Sequence, residues 1–381
     1  MLHLPLSASD HKAFVAAMRQ SYRARTTVHI LDRDENVTHH LTDRVVSGSV
    51  NVDMTQDVDR SLDIQLADLD KAFGFAPDAP NEFALFADNF IRVVRSIYVA
   101  EILEWVNVPL FTGPITRLER QGDVVNVTAV GKESLGLAPA LAWKPLHIPK
   151  GRKVTHAIRE IMEGQGETLF DFPDAKVKLR KPVSMGRTSE PWKVAQRLAR
   201  SIDRQLFYDA RGKLRLRTLP PQPVFKFKTG AQGTIVDRPT IAFDMDRVRN
   251  TVEVLGPKPE GQQKRIRFVA YPPKNNALSP WKLARNGQPR FLVETVEAEH
   301  ITRVEQAQRQ AQKKLDDLLR AEIDLNFDAF PCLPLEPGDL VSVDVDGEIV
   351  RIRAETFSIP VIRGVMSVGA NRRVGTGKGR R

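Results

Sequence analysis

His29 and His39 would face each other across a hairpin centred on Asp34, and two imidazoles so placed supply half the ligands of a zinc site. No third ligand follows at helix or strand spacing, and His40 falls on the opposite face in that register, so no metal is assigned. Asp344 and Asp346 before Gly347 imitate part of a calcium loop. With Gly347 as its sixth residue, Ser342 takes the first position and Arg353 the twelfth, where a bidentate glutamate is required. Ser279 and Lys282 have Ser-x-x-Lys spacing, but Lys228-Thr229-Gly230 precedes them and no Ser-Asp-Asn lies between. Gly375-Thr376-Gly377-Lys378-Gly379 lacks the glycine frame, the following hydroxyl residue and the helix of a phosphate loop. Asp244 with Asp246, and Glu297 with Glu299, share strand faces, where acids are ordinarily solvated or salt-bridged rather than tuned for proton transfer. No catalytic residue and no cofactor is assigned, and the chain reads as non-enzymatic.

Bulk properties narrow the class. The chain has 381 residues, 41% of them hydrophobic, enough for two to four domains with a sizeable core. Cys332 is the only cysteine, which excludes a disulfide framework and fits a reducing compartment. Met1 to Leu6 carries neither the basic leader nor the apolar core of a signal peptide, and no apolar run reaches bilayer length. Assembly in the cytosol and no stable membrane insertion are therefore expected. A net charge of +10 raises nucleic-acid binding as an alternative. The basic residues are dispersed, however, over Lys150 to Lys153, Lys176 to Arg180, Lys213 to Arg217, Gln263-Lys264-Arg265 and the tail Arg372 to Arg381. Lys176, Lys178 and Arg180 alternate with Val177 and Leu179, and Lys213, Arg215 and Arg217 with Leu214 and Leu216, as half-exposed strands would. A solvated sheet face or an acidic protein partner accounts for such spacing.

The elements follow from periodicity. Ser9 to Tyr22 predicts a short helix capped by Ser9 or Asp10, with Phe14, Val15 and Met18 inward. Alternation then predicts strands over 28–31, 37–41, 46–53, 62–66, 91–94 and 98–108, with two more after Phe111. Val154 to Met162 and Pro191 to Arg204 have helical spacing, and Pro191 suits a first helical turn. Two-residue spacing returns after Pro220-Pro221-Gln222-Pro223, interrupted by the loop Pro272 to Pro280. Thr302-Arg303-Val304-Glu305 has capping-box form and opens a helix whose stripe is Val304, Ala307, Ala311, Leu315, Leu318 and Leu319. Leu325, Phe327 and Ala329 alternate, Pro337-Gly338 fits a type II turn, and Leu340 to Val345 with Ile349 to Ala354 flank Asp346-Gly347 as a hairpin.

The succession of helix, strand, Pro334-Leu335-Glu336-Pro337-Gly338-Asp339 and closing hairpin resembles the C-terminal barrel of tailed-phage tail hub proteins. Thr112-Gly113-Pro114-Ile115 with Val124-Val125-Asn126-Val127-Thr128-Ala129 is similar to a hairpin of the family's first barrel, and Val248-Arg249-Asn250-Thr251-Val252 to a strand of its second. The resemblance implies a mainly β fold with α+β parts: two β-barrels plus a small inserted α/β module. Its boundaries would be an N-terminal helical arm over 1–25, a first barrel over 26–140, the module over 141–218, a second barrel over 219–365 including a helix over 302–320, and a flexible basic tail over 366–381.

It further implies a structural virion protein: a homotrimeric hub at the distal end of a tail tube, adapting sixfold to threefold symmetry and forming part of the DNA ejection channel. Partners would be tail tube, distal tail and tip fibre or plug proteins, with genomic DNA only in transit. Location would be the tail tip of the virion after assembly in the host cytoplasm. Pro337, Gly338 and Asp339 would hold the barrel-closing turn. Because a basic channel would bind the duplex and retard its exit, Asp53, Asp57 and Asp59 are candidates for the channel face or rim. The rivals are an enzymatic hub carrying a cell-wall hydrolase and a basic nucleic-acid-binding protein. The first lacks room for a catalytic domain after the second barrel, and the second lacks aromatics interleaved with the basic residues, at 7% aromatic content.

Overall fold

Long runs of alternating apolar residues make the N-terminal part of the chain a sheet of antiparallel strands. A computed structural model describes residues 1–20, 22–75, 81–85, 89–137, 145–173, 175–186, 188–230, 233–242, 248–258, 265–298, 301, 303–319, 324–345 and 347–370. The fold is mainly β, as the spacing and the resemblance implied. Two compact units are distinguished, one comprising 1–238, 327–347 and 354–369, the other 239–326, 348–353 and 370–381.

In the first unit β1 (Ala24–Leu31), β2 (Val37–His40), β3 (Val45–Asp53), β4 (Arg60–Ala67), the short β5 (Phe73–Gly74) and β6 (Phe83–Ala84), β7 (Phe90–Val99), β8 (Glu104–Gln121) and β9 (Val124–Val130) follow in sequence. Hydrogen bonding runs in the order β3-β4-β9-β8-β7-β1-β2. The 18-residue β8 joins the two halves, pairing with β7 through Glu104 to Pro114 and with β9 through Ile115 to Gln121. Register shifts beside Val93 and Ile115 bend it, and bulges are the usual means by which a strand turns a barrel corner. Gly113 sits at the bend, where an added Cβ would lie 2.1 Å from the Val130 carbonyl oxygen. Only glycine permits that approach. Val28, Ile30, Leu62, Ile64, Leu66, Val125 and Val127 are buried, so the alternation does point one face inward.

Strands from the far end of the chain extend this sheet. Thr356–Pro360 pairs antiparallel with β3, and Met366–Ala370 pairs with Thr356–Pro360. Sequence order had placed the former in the second barrel and the latter in the tail. Pairing between residues three hundred positions apart leaves no local signature, which is why spacing could not reveal it.

Two helices and short strands form a separate core in the same unit. α1 (Ala8–Ala17) precedes β1, whereas α2 (Val154–Glu163) and α3 (Pro191–Arg200) pack together, with Ile158, Ile161, Trp192 and Ala195 buried against Tyr208, Leu214 and Leu216. Gln205–Tyr208 and Leu214–Arg217 are antiparallel, and Leu214 and Leu216 are buried while Arg215 and Arg217 are half-buried. The Lys176 to Arg180 segment is not the strand that its alternation predicts. Lys178 makes one bridge to Lys153, and Val177 is exposed. The cap of α1 is Ser7 rather than Ser9 or Asp10: its hydroxyl accepts the Asp10 N–H at 3.2 Å.

In the second unit Thr251–Leu255 is flanked by Arg267–Ala270, antiparallel, and Val293–Glu297, parallel. α4 (Val304–Leu319) covers this sheet with Ala307, Ala311 and Leu315, all fully buried, and burial of Leu315 alone contributes about 2 kcal/mol. Val304, placed on the inward stripe by spacing, is exposed at the frayed first turn. Asn250, the asparagine of the barrel-strand motif, donates to the carbonyls of Leu278 and Arg290 at 3.1 and 2.9 Å and accepts the Leu292 N–H at 2.8 Å. One buried amide thus pins the 278–292 loop to the strand. Thr302, Asp244, Asp246, Glu299, Asp346 and the tail from 372 lie outside the described residues.

Candidate functional site: a buried ionic junction

Arg60 opens β4 in phase with Leu62, Ile64 and Leu66, so the pleat that buries three aliphatic side chains also buries a guanidinium. Its Nη1 donates to the Leu110 carbonyl at 2.9 Å and its Nη2 to Glu336 Oε2 at 3.0 Å. Glu336 is the first residue of the turn predicted over Glu336 to Asp339. The Asp339 N–H donates to the Glu336 carbonyl at 3.0 Å, and Gly338 has φ +81°, as the third position of a type II turn requires. Asp339 closes the turn through its side chain, which accepts the Glu336 N–H at 2.9 Å and Arg217 Nη1 at 3.0 Å. Arg217 Nη2 and Gln205 Nε2 both donate to the Pro337 carbonyl, at 2.6 and 3.1 Å. Pro337, Gly338 and Asp339 therefore hold a structural turn, tied by charge to β4 and to the Gln205–Tyr208 and Leu214–Arg217 strands.

A second ionic knot lies beside it. Lys132 is buried and reaches Glu35 at 2.5 Å, Glu167 at 2.7 Å and the Gly212 carbonyl at 3.1 Å, with the Tyr208 ring 5.4 Å away. Glu35 also meets Arg92 at 3.6 Å. Glu133 is fully buried, and one of its oxygens accepts the Tyr208 N–H at 3.3 Å while the other has no partner among the described residues. Burial pushes the Glu133 and Glu336 carboxyls up to about 7, with Arg60 opposing the shift in both. Asp59 is raised by burial and then by Glu133. Tyr208 is raised by burial and by its acidic neighbours, Glu167 first. Trp192 stacks on Tyr208 with ring centroids 5.7 Å apart and donates Nε1–H to the Asp57 carbonyl at 2.9 Å.

These groups can store protons and fix geometry. Their hydrogen bonds and ion pairs join β4, the Glu336 to Asp339 turn and the Gln205–Tyr208 and Leu214–Arg217 strands into one buried junction. Asp53, Asp57 and Asp59 separate into three roles. Asp53 accepts the Thr55 N–H and hydroxyl at 2.9 and 2.6 Å, and Asp57 is exposed with its carboxylate 3.5 Å from Lys193. Asp59 is a correction: it is 5% exposed and lies inside the junction, which removes it from a channel wall in this chain.

The histidine pairing is also corrected. A register shift between Ile30 and Leu31 sets His29 opposite His40, with ring centroids 4.7 Å apart, and His39 packs edge-on to Phe83 instead. No group of three metal-ligating side chains occurs among the described residues. Cys332 is buried, its thiol pushed far up by burial. Among the described residues, no helix is long and apolar enough to cross a membrane. Arg60, Lys132, Glu133 and Tyr208 were not singled out from sequence, and Arg217 and Glu336 entered only as part of a strand alternation and a turn motif. Arg60 did leave a signal, as a charge on the apolar phase of a strand.

No family model matches the chain, and no curated protein matches it by sequence. Solved structures do match over nearly its whole length. A tail protein from Neisseria meningitidis is 15% identical with a TM-score of 0.64, covering 92% of this chain and 98% of its own. The 43 kDa tail protein of prophage MuSo2 from Shewanella oneidensis is 10% identical at the same TM-score and coverage. Prophage tail protein gp18 from Listeria monocytogenes is 9% identical with a TM-score of 0.54, covering 92% and 95%. The chain has the fold of phage tail proteins.

Proposed function

We propose that the chain is a structural protein of a phage tail, acting as the hub at the distal end of the tail tube. The observation that carries this is the match in fold, almost end to end, to several tail proteins of similar length. The solved structures that it matches over most of both chains are tail proteins, which supports a structural role. In this reading three copies form a ring, two barrel-like units per chain present six similar faces to a sixfold tube, and the genome passes through the centre. Asp53 and Asp57 lie at or near the channel rim, and most of the +10 charge faces away from it, toward acidic tail partners. The protein resides in the virion, at the tail tip, after assembly in the host cytoplasm.

The mass of the purified protein in solution, followed by imaging of assembled tails, tests the reading. Three times the 42.8 kDa of one chain is expected, or a monomer that becomes three copies on a tail template. Six copies at the tip would overturn the trimer, absence from tails would overturn the role, and release of peptidoglycan fragments would establish the enzymatic rival.

A further inference from the structure

A cavity of about 470 Å³ lies on one face of β1, β7 and β8. The register builds its floor: Arg25, Thr27 and His29 alternate along β1, Arg25 is paired with Ser96 of β7, and Ser96 with Asn107 of β8. Arg211 and the segment around His3 form a wall, joined by a hydrogen bond from Arg211 Nη2 to the His3 carbonyl. The lining holds two arginines and two histidines and no carboxylate.

Its donors are held in place and only partly used. The Arg25 guanidinium rests 4.5 Å from the centre of the Trp105 ring, which fixes the plane of the fork, and neither Arg25 nor Arg211 has a carboxylate partner among the described residues. Elsewhere in this unit guanidinium groups do find acids, as in Arg44 with Asp70 and Arg215 with Asp171. Asn107 Oδ1 accepts the Ser96 hydroxyl at 2.6 Å, which leaves the amide nitrogen to donate. His29 Nδ1 is buried without a hydrogen-bond partner among the described residues.

We propose that this cavity binds carboxylate side chains of an acidic peptide segment on a partner protein. Two planar forks match carboxylates bidentately, and the volume accommodates a few side chains, well beyond a single inorganic anion. A duplex backbone needs a run of phosphate contacts, whereas this site offers two guanidinium groups in one open hollow. The proposal goes beyond the tail reading and does not depend on it.

Calorimetry on the full chain in low salt, with tetraglutamate as probe and with inorganic phosphate and a short DNA duplex as separate arms, tests it. Saturable tetraglutamate binding is expected, weakened about tenfold or more in Arg25→Gln/Arg211→Gln. Lys176→Gln/Lys181→Gln removes the same charge elsewhere and should leave the affinity unchanged. Arg25→Lys/Arg211→Lys keeps the charge without the fork and should bind more weakly than the original chain. Should Arg211→Gln lower the thermal midpoint through its contact with His3, the exposed single variant Arg25→Gln carries the comparison. Absence of tetraglutamate binding, equal weakening in the Lys176/Lys181 control, unchanged affinity in the lysine pair, or tighter binding of phosphate or duplex would overturn the proposal.

Discussion

Arg60 and Glu336 are 276 positions apart in sequence and meet at 3.0 Å with both side chains buried. The pair fastens the terminal turn to β4 inside the first unit. Because removing one partner leaves a buried charge unpaired, Arg60→Ala should lower the unfolding free energy by about 3–5 kcal/mol. Replacing both with apolar residues, as in Arg60→Met/Glu336→Leu, should recover much of that loss. Urea unfolding of the single and double variants measures the difference, and equal losses in both would show that the ion pair itself stabilises the fold.

The raised carboxyls give stability a pH dependence of definite sign. Burial raises Glu133 and Glu336 to about 7 in the folded state from the ordinary 4.5 of an unfolded chain, so the folded state binds more protons between those values. Their contribution is complete below about pH 4.5 and disappears as pH rises through about 7. Unfolding free energies should therefore be larger at pH 5 than at pH 8, by an amount on the order of a few kcal/mol. Glu133→Gln should flatten the slope. A slope of opposite sign in denaturant melts would contradict the assignment.

Gly338→Val should be more damaging than any His→Ala change. Gly338 has φ +81°, and an added Cβ would lie 2.8 Å from Leu219 Cδ2, so a β-branched residue should cost about 1–3 kcal/mol. His39→Ala should fall within about 0.5 kcal/mol of the original chain. Thermal midpoints of the two variants, compared side by side, decide the ranking.

Among the described residues Trp192 is the largest fully buried side chain, and it both packs on Tyr208 and donates to the Asp57 carbonyl. Trp192→Ala should cost about 3–5 kcal/mol, while Trp192→Phe should lose less, because most of the ring volume remains. Chemical denaturation followed by far-UV circular dichroism would separate the two, and near-equal losses would place the importance in the hydrogen bond rather than in the volume.

Local periodicity carried much of the fold. The stripe of Ala307, Ala311 and Leu315, the helical spacing of Ile158 and Ile161, and the alternation of Leu62, Ile64 and Leu66 each burial bears out, because a regular element presents one face at a fixed repeat. Pro337-Gly338 announced its turn because the positive φ at its third position strains residues other than glycine. The His29 partner was misread because one bulged residue reverses which side chains face each other, and a bulge has no fixed composition.

By itself, the sequence determined a mainly β chain with helices at known places, the turn at Gly338 and the lack of a catalytic motif. Only the tertiary structure decided that Thr356–Pro360 pairs with β3, that Arg60 meets Glu336, and that Arg25 and Arg211 line one cavity. Turns and repeats are fixed by the few residues within them. Strand pairing and ion pairs between distant segments depend on which alternative contacts the whole chain can satisfy at once, and no local window contains that information.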